Sequence, residues 1–239
     1  MKAMIFAAGI GSRLKELTLH TPKCLIEVSG KTMLHHTIDH LRTAGVTDLM
    51  INIHHHAELV RTAVAAQDNF GINIEFSFEK ALLDTGGGLK NVVSFFQGSE
   101  PFITHNADIY SNCSLQLLLQ KHVASDATAT LGIMQRPSKR GLYFDSEMSL
   151  TGWTEEKTAL ASHSDSLYAF SGMAVFSPSI FNFMPQSDTF SLIEPCLSAA
   201  RSNQKVIGSV INGDTWADIG TPETLQLLKD KLHSEQTQS

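Results

Sequence analysis

A glycine-rich segment near the start of the chain has the composition of a phosphate-binding loop. It spans residues 7–14, with sequence AAGIGSRL, and follows the short apolar run from Lys2 to Ala7. Glycines with small neighbours let the backbone approach a phosphate closely and direct its N–H groups toward it. An arginine adds a forked cation that suits phosphate oxygens. The residues predicted to bind a polyphosphate are Ala8, Gly9, Gly11, Ser12 and Arg13.

Three other interpretations of this loop have to be weighed. A dinucleotide-binding G-x-G-x-x-G fingerprint would place its third glycine at Leu14, so the glycine needed for close helix packing is missing and NAD binding is disfavoured. A Walker A loop is excluded because no Gly-Lys-Ser/Thr follows. A glycine-rich turn without a ligand stays open when the loop is considered alone.

A second candidate cation lies nine residues after Leu14. Lys23 ends the sequence LTLHTPK, and Pro22 stiffens the chain directly before it. A Gly-x-Gly-x-Arg loop followed by Thr-Pro-Lys resembles the signature of the sugar 1-phosphate nucleotidyltransferases. The resemblance extends along nearly the whole chain, and within this family it is greatest to the bacterial N-acetylmuramic acid 1-phosphate uridylyltransferases of cell-wall recycling.

The resemblance implies a magnesium site at two aspartates. The family's Asn-Gly-Asp and late Asp-x-Gly motifs match residues 106–108 and 218–220, so Asp108 and Asp218 would hold Mg²⁺ while Arg13 and Lys23 contact the triphosphate. Magnesium prefers one or two carboxylates together with phosphate oxygens and water, which is consistent with this pair. Both aspartates are predicted to lie just beyond strands, where the carboxyl ends of a parallel sheet gather ligands. Each aspartate taken alone is more typical of a turn or a helix cap.

The resemblance also implies where the nucleoside and the sugar bind. The base and ribose would face the segment from Glu79 to Gly88, with Thr85, Gly86 and Gly87 as nucleotide-binding residues, although three glycines could simply form the turn that starts a helix. The expected sugar-phosphate residues are Asn106, Gly172, Glu156 and Lys157. The last two match a Glu-Glu-Lys-Pro segment of the thymidylyltransferases, but a charged triplet is also typical of a solvated turn.

The implied reaction joins a nucleoside triphosphate, UTP, to N-acetylmuramic acid 1-phosphate and releases pyrophosphate. Two departures leave alternatives open: Glu16 stands where relatives commonly have proline, and Ala107 replaces the glycine of Asn-Gly-Asp, where its methyl group could narrow the sugar pocket or shift the loop. A guanylyltransferase or cytidylyltransferase with another phosphorylated acceptor remains an alternative. A nucleotide-sugar sensor without catalysis is the alternative from another class.

The elements that must position these residues alternate between β and α up to about Thr128. They include a helix that Thr32 can cap and Gly45 can end, and a helix after Gly88. Short β-prone runs follow, as expected of an antiparallel accessory sheet. We therefore predict an α/β fold with a doubly wound, mainly parallel Rossmann-like sheet and a small antiparallel sheet. Residues 1–232 would form a single nucleotidyltransferase domain, with a nucleotide-binding core at about 1–127, a sugar-binding part at about 128–232 and a polar tail at 233–239.

Composition narrows the range of partners. The chain has 239 residues with 42% hydrophobic content, which is sufficient for a sizeable core. Its formal charge of −6 gives no overall attraction to nucleic acid or to an anionic membrane. Its three cysteines are widely separated and lack a C-x-x-C pair, so neither a disulfide framework nor a zinc site is expected. We predict a cytoplasmic monomer or small homo-oligomer.

Overall fold

The computed structural model describes residues 1–98, 100–138, 140–154, 165–211 and 215–237. None of the helices within these ranges is long and apolar enough to cross a membrane. The strands are β1 (Lys2–Phe6), β2 (Glu27–Val28), β3 (Lys31–Thr32), β4 (Asp48–Ile53), β5 (Asn73–Phe78), β6 (Phe102–Asn106), β7 (Ile109–Ser111), β8 (Ala129–Met134), β9 (Leu142–Phe144), β10 (Leu150–Trp153), β11 (Ser166–Phe176), β12 (Val206–Val210) and β13 (Trp216–Asp218). The helices are α1 (Met33–Thr43), α2 (Ala57–Ala65), α3 (Asp84–Lys90), α4 (Val93–Phe96), α5 (Leu115–Ser125), α6 (Ile193–Arg201) and α7 (Pro222–Thr237), and short 3₁₀ helices occur at Ser12–Thr18, Lys23–Leu25, Asp68–Gly71 and Pro178–Phe183.

The chain divides into two compact units. The glycine-loop unit comprises Ala3–Leu82, His105–Cys113 and Gly213–Ser239. The mixed-sheet unit comprises Met1–Lys2, Leu83–Thr104 and Ser114–Asn212. Both units contain segments from before and after residue 127, so the predicted division into a nucleotide-binding and a sugar-binding part does not coincide with them and stays a prediction.

The glycine-loop unit is built on parallel strands joined by helices. Its strand order is β1-β4-β5, and β4 pairs in parallel with β5 from Asp48 opposite Asn73 onward. Helix α1 begins as its sequence indicates, because Thr32 Oγ1 accepts a hydrogen bond from the His35 N–H at 3.1 Å. It ends before Gly45, whose φ of +88° lies in the left-handed region. Met33 at the start of α1 and the apolar face of α7 pack with Leu14 in one buried cluster.

The mixed-sheet unit combines antiparallel and parallel pairing. Strand β11 runs antiparallel to both β8 and β9, β10 is antiparallel to β9, and β12 is parallel to β8. The expected antiparallel pairing is therefore confirmed for β9, β10 and β11, whereas β8 also takes a parallel neighbour. The predicted α/β fold class, with a mostly parallel central sheet and small antiparallel sheets, is confirmed.

Two element boundaries differ from the sequence prediction. Helix α3 already begins at Asp84 and contains the three glycines, although the sequence predicted a helix after Gly88. A side chain at Gly87 would collide with the Asp188 carbonyl oxygen, so this helix depends on glycine for its packing. The expected polar tail is helical as far as Thr237, in keeping with the hydrogen bond from Thr215 Oγ1 to Glu235 Oε1 at 3.2 Å.

Candidate active site

The glycine loop packs tightly against the segment that carries Lys23. Gly11 has φ +70° and precedes the 3₁₀ helix Ser12–Thr18, and a methyl group on its α-carbon would lie 2.9 Å from Thr18 Cγ2 and 3.1 Å from Lys23 Cβ. Both the conformation and the packing therefore require glycine at position 11. A methyl group at Gly9 would meet no atom within 4 Å, so the backbone at Gly9 borders open space. A ligand could approach the chain there.

Lys23 is buried at the start of the short helix Lys23–Leu25. Pro22, in an extended conformation, precedes it as the sequence suggests. The Lys23 ammonium donates to Asp108 Oδ2 at 2.5 Å and lies 3.7 Å from Asp218 Oδ1. One buried cation thus contacts both predicted metal ligands.

The pairing of two short strands brings the aspartates together. Asp108 lies in the turn between β6 and β7, and Asp218 is the last residue of β13. Strand β13 runs antiparallel to β7 with Asp218 opposite Ile109, and the Ile219 N–H donates to the Asp108 carbonyl at 3.0 Å. Asp108 follows a strand as predicted. Asp218 does not lie beyond a strand of the parallel sheet but ends a strand of this two-stranded ribbon.

The two carboxylates share Lys23 in a partly buried setting. Burial raises the pKa of Asp218, as does the negative charge of Asp108, while Lys23, Arg13 and the Gly220 N–H oppose this increase. Asp218 Oδ1 is buried and has no hydrogen-bond partner among the residues that the structure describes. An orphaned carboxylate oxygen beside a second carboxylate is a fitting ligand pair for a hard divalent cation.

Two carboxylates are too few ligands for a metal held entirely by protein side chains, but they suit magnesium. Within the described ranges no group of three or more His, Cys, Asp or Glu side chains is arranged to hold a metal ion. A cation at Asp108 and Asp218 would therefore complete its coordination with phosphate oxygens and water. Magnesium has this preference.

Arg13 lies close to Asp218, and Gly220 leaves the space that both side chains occupy. A methyl group at Gly220 would lie 2.9 Å from Asp218 Oδ1 and 3.0 Å from Arg13 Nη2, so glycine leaves room for both side chains. The Arg13 side chain is exposed, so its guanidinium is accessible to a ligand. The structure thus brings together Arg13, Lys23, Asp108 and Asp218.

The Asn106-Ala107 pair leads into Asp108. Asn106 ends β6 and is half-buried, and the Ala107 N–H donates to the Phe6 carbonyl at 3.0 Å. Ala107 is only 2% exposed, so its methyl group, the departure noted in the sequence, is packed inside the protein. The sugar-binding role of Asn106 stays a prediction.

The predicted nucleotide-binding residues of α3 lie in the mixed-sheet unit and make contacts within it. The N–H groups of Gly86 and Gly87 lie 2.9 and 3.2 Å from the Phe190 carbonyl, to which they donate, and a side chain at Gly86 would collide with the Phe190 ring. Thr85 Oγ1 accepts from the Leu192 N–H at 3.0 Å. Packing within the unit therefore explains the glycines, and a nucleotide contact here stays a prediction.

The remaining sugar-site predictions fall in two places. Gly172 is buried in β11 with φ +84°, where the pairing with β8 shifts register between Phe170 and Ala174. Such a bulge explains why glycine occupies this position. Glu156 and Lys157 lie outside the described residues.

Sequence reasoning missed buried Asn52 and its contact with Glu79, which was expected only as the first residue of the segment facing the base and ribose. Asn52 Oδ1 accepts from the Ala7 N–H at 2.7 Å, and Asn52 Nδ2 donates to Glu79 Oε1 at 2.7 Å. Asn52 and Glu79 are 3% and 2% exposed. A signal was present, since Asn52 is an amide inside the otherwise apolar second half of β4.

Comparison with known proteins gives a consistent family assignment. A family model for nucleotidyl transferases matches residues 2–235. The N-acetylmuramate alpha-1-phosphate uridylyltransferase of Neisseria meningitidis serogroup B is 28% identical over 224 residues, covering 92% of this chain and 94% of the relative. The mannose-1-phosphate guanyltransferase of Hypocrea jecorina is 29% identical over 230 residues, covering 93% of this chain. This chain spans 62% of that relative's length.

Solved structures share the fold at lower identity. A putative glucose-1-phosphate thymidylyltransferase from Bacillus anthracis, in complex with sucrose, superposes with a TM-score of 0.83 at 20% identity, covering 97% of this chain and 94% of that one. HddC from Yersinia pseudotuberculosis, complexed with GMP-PN, gives 0.75 at 24% identity, covering 97% and 99%. The match to the family model extends over nearly the whole chain, and the chain therefore belongs to the nucleotidyl transferase family.

Proposed function

We propose that this protein transfers a nucleotidyl group from a nucleoside triphosphate to a sugar 1-phosphate in the presence of Mg²⁺. The observation that carries the proposal is the contact of one buried ammonium, Lys23, with two carboxylates, Asp108 and Asp218, beside a glycine loop. Structural packing alone does not explain two carboxylates around one ammonium with one buried oxygen that lacks a hydrogen-bond partner among the described residues. A binding site for a metal-bound triphosphate would explain this arrangement.

The reaction needs alignment and charge neutralisation rather than a base. An oxygen of the sugar 1-phosphate attacks the α-phosphorus, a new P–O bond forms, the bond to the β-phosphate oxygen breaks, and pyrophosphate leaves with that electron pair. The nucleophile is already an anion, so no proton has to be removed. Loop amides around Gly9 would orient the triphosphate, while Arg13 and Lys23 would offset the charge that develops on its oxygens.

Asp108 and Asp218 are the residues that would hold magnesium. When bound, the ion supplies Lewis-acid stabilisation of phosphate oxygens. The fit of the site rests on its two carboxylates, on the orphaned Asp218 Oδ1 and on the open approach at Gly9. The pairing of β13 with β7 places Asp218 opposite Ile109, the residue that follows Asp108.

UTP and N-acetylmuramic acid 1-phosphate are the proposed substrates. Support comes from the uridylyltransferase relative, which matches this chain over 94% of its own length. A guanylyltransferase is the second candidate, because the curated mannose-1-phosphate guanyltransferase has a similar identity, although it is a longer protein. The thymidylyltransferase and HddC structures support the fold alone.

A substrate panel tests this proposal. The purified protein is incubated with each of the four common nucleoside triphosphates and with N-acetylmuramic acid, mannose or glucose 1-phosphate, with and without Mg²⁺, and pyrophosphate release is followed. The proposal expects the highest kcat/KM with UTP and N-acetylmuramic acid 1-phosphate. A preference for GTP would support the second candidate, and binding without turnover in every combination would indicate a sensor.

A further inference from the structure

One side chain joins the ends of three neighbouring strands in the glycine-loop unit. Asn52 lies near the end of β4, the middle strand of the order β1-β4-β5. Its Oδ1 accepts from the N–H of Ala7, the residue after β1, and its Nδ2 donates to the carboxylate of Glu79, the residue after β5, both at 2.7 Å. A side chain, rather than the main chain of Asn52, therefore links these two positions.

The residue after β5 is itself held in place. The Glu79 N–H donates to the Ile53 carbonyl at 2.8 Å, and His54 Nδ1 lies 2.7 Å from the Glu79 carbonyl, to which it donates. The Glu79 carboxylate therefore offers Asn52 an acceptor on a fixed backbone. With both side chains almost fully buried, water cannot replace either bond without opening the structure.

The peptide group that donates to Asn52 also contacts the segment that carries Asp108. The Phe6 carbonyl and the Ala7 N–H belong to one planar trans peptide group. The carbonyl end of this group accepts from the N–H of Ala107, the neighbour of Asp108, at 3.0 Å, while the N–H end donates to Asn52. Rotation of this peptide would therefore disturb both the start of the glycine loop and the segment that presents Asp108.

We propose that Asn52 and Glu79 are positioning residues for the triphosphate, which act by fixing the plane of the Phe6–Ala7 peptide. Through it they set the direction of the loop amides that follow and the place of Asp108. This inference rests on the proposed nucleotidyl transfer and adds two buried residues that act through the Phe6–Ala7 peptide. Misplacement of reacting groups by about 1 Å can reduce turnover by about 10²-fold, so fixing one peptide is a sufficient cause for a large kinetic effect.

A cycle of isosteric variants tests the proposal. In N52D an oxygen replaces Nδ2 and faces the Glu79 carboxylate at hydrogen-bond distance, where two carboxyl groups can stay only by sharing a proton. The carboxylate introduced at position 52 should move away and release the Ala7 N–H. In E79Q the amide oxygen can still accept from Asn52. In the double variant N52D/E79Q the new amide at position 79 donates to the new carboxylate at position 52, so this bond is restored with donor and acceptor exchanged. The other oxygen of that carboxylate can then accept from the Ala7 N–H as Asn52 Oδ1 does.

The expected kinetic result is selective. N52D should lower kcat/KM for the nucleoside triphosphate by about 10²-fold with a raised KM for that substrate and an unchanged KM for the sugar 1-phosphate, and N52D/E79Q should recover to within a few-fold of E79Q. A merely structural role would reduce the active fraction and leave both KM values unchanged. The matched control is N73D, since Asn73 Nδ2 donates to Asp48 Oδ1 at 3.0 Å on an exposed part of the same β4–β5 pair and should tolerate the change.

Amide hydrogen exchange at Ala7 supplies a second measurement that does not depend on turnover. The wild type, E79Q and the double variant should protect this amide, and N52D should lose that protection. If N52D fails to fold, the double variant decides, because it must fold, protect Ala7 and turn over. Wild-type kinetics in N52D, unchanged KM values or a double variant without recovery would overturn the proposal. If the wild type itself shows no turnover, the proposed function fails. Amide exchange at Ala7 and UTP affinity measured by calorimetry would then still test whether Asn52 and Glu79 position the loop.

Discussion

Lys23 Nζ donates to Asp108 Oδ2 at 2.5 Å, and the same ammonium lies 3.7 Å from Asp218 Oδ1. The cation proposed to contact the triphosphate therefore already neutralises the carboxylates proposed to hold the metal. Lys23 and a divalent cation would draw on the same oxygens. Substitution of Lys23 should consequently affect metal binding and turnover in opposite directions.

The variant K23Q tests this opposition. Loss of the ammonium should lower pyrophosphate release by about 10²-fold or more, because one preorganised charge no longer stabilises the transition state. The same loss should tighten Mn²⁺ binding in the absence of nucleotide, measured by electron paramagnetic resonance, since the two carboxylates then lack their cation. K31Q, at an exposed ion pair with Asp39, serves as the control. Weaker Mn²⁺ binding in K23Q would contradict the account.

The variant D218N should separate stability from activity. Burial and the charge of Asp108 raise the pKa of Asp218, so folding disfavours its ionised form and a neutral amide should raise Tm at pH 7.5. Turnover should fall by about 10²-fold or more, because a proposed metal ligand is lost. In D39N the change in Tm should have the opposite sign. Burial opposes ionisation of Asp39, but the hydrogen bond and charge of Lys31 outweigh it and lower the pKa of Asp39, so its amide variant should be less stable. A lower Tm in D218N would be inconsistent with this reasoning.

The variant G11A tests the contact between the glycine loop and the Lys23 segment. Its methyl group would meet Thr18 Cγ2 at 2.9 Å and Lys23 Cβ at 3.1 Å in addition to the strain of φ +70°. Gly30 provides the matched control, since its φ of +78° imposes similar strain while no atom lies within 4 Å of an added methyl group. Urea unfolding should show a loss of about 1 kcal/mol for G30A and about 1–3 kcal/mol more for G11A. Equal losses would argue that the packing is not tight.

A buried histidine predicts acid sensitivity in the mixed-sheet unit. His122 is 1% exposed, and burial lowers the pKa of its imidazole from 6.5 to about 4. Its folded-state pKa lies below the unfolded value, so its contribution to stability is complete above pH 6.5 and is lost as the pH falls from there toward 4. Between pH 7.5 and pH 5.0 this single group should cost about 2 kcal/mol of unfolding free energy.

The variant H122Q isolates that contribution. The His122 nitrogens lie 3.0 Å from Thr130 Oγ1 and from Ser177 Oγ, and a glutamine amide can donate to Ser177 without titrating. Urea unfolding of the wild type and of H122Q at both pH values should show the smaller pH-dependent loss in the variant. H55Q, at an exposed histidine, should follow the wild type. An equal loss in H122Q and the wild type would show that His122 does not titrate in this way.

Local signals in the sequence predicted much of the fold. Thr32 and Gly45 bound helix α1 as a cap and a left-handed glycine, because such preferences depend on a few neighbouring residues. The approach of Lys23, Asp108 and Asp218 was expected from motif resemblance rather than from spacing. Its structural cause, the pairing of β7 with β13, joins segments more than 100 residues apart and has no local signature.

Contacts between residues that are distant in the sequence could not be predicted, because they have no local signature. For the glycines of α3 the nucleotide contact stays a prediction, and the packing of Gly86 and Gly87 against the chain at Phe190 involves a partner that only the fold supplies. Asn52 and Glu79 belong to separate strand ends, and their pairing follows from the order β1-β4-β5. The composition of a segment indicates what it can contact, and the sheet order decides which contact is made.

The central claim is that Asp108 and Asp218 support metal-dependent nucleotidyl transfer. The most direct measurement is pyrophosphate release from UTP and N-acetylmuramic acid 1-phosphate by the wild type, D108A and D218N over a Mg²⁺ titration, with folding checked by Tm. The account predicts Mg²⁺-dependent turnover in the wild type and almost none in either folded variant. Turnover in the wild type that persists without divalent cations, or wild-type rates in D108A, would contradict it.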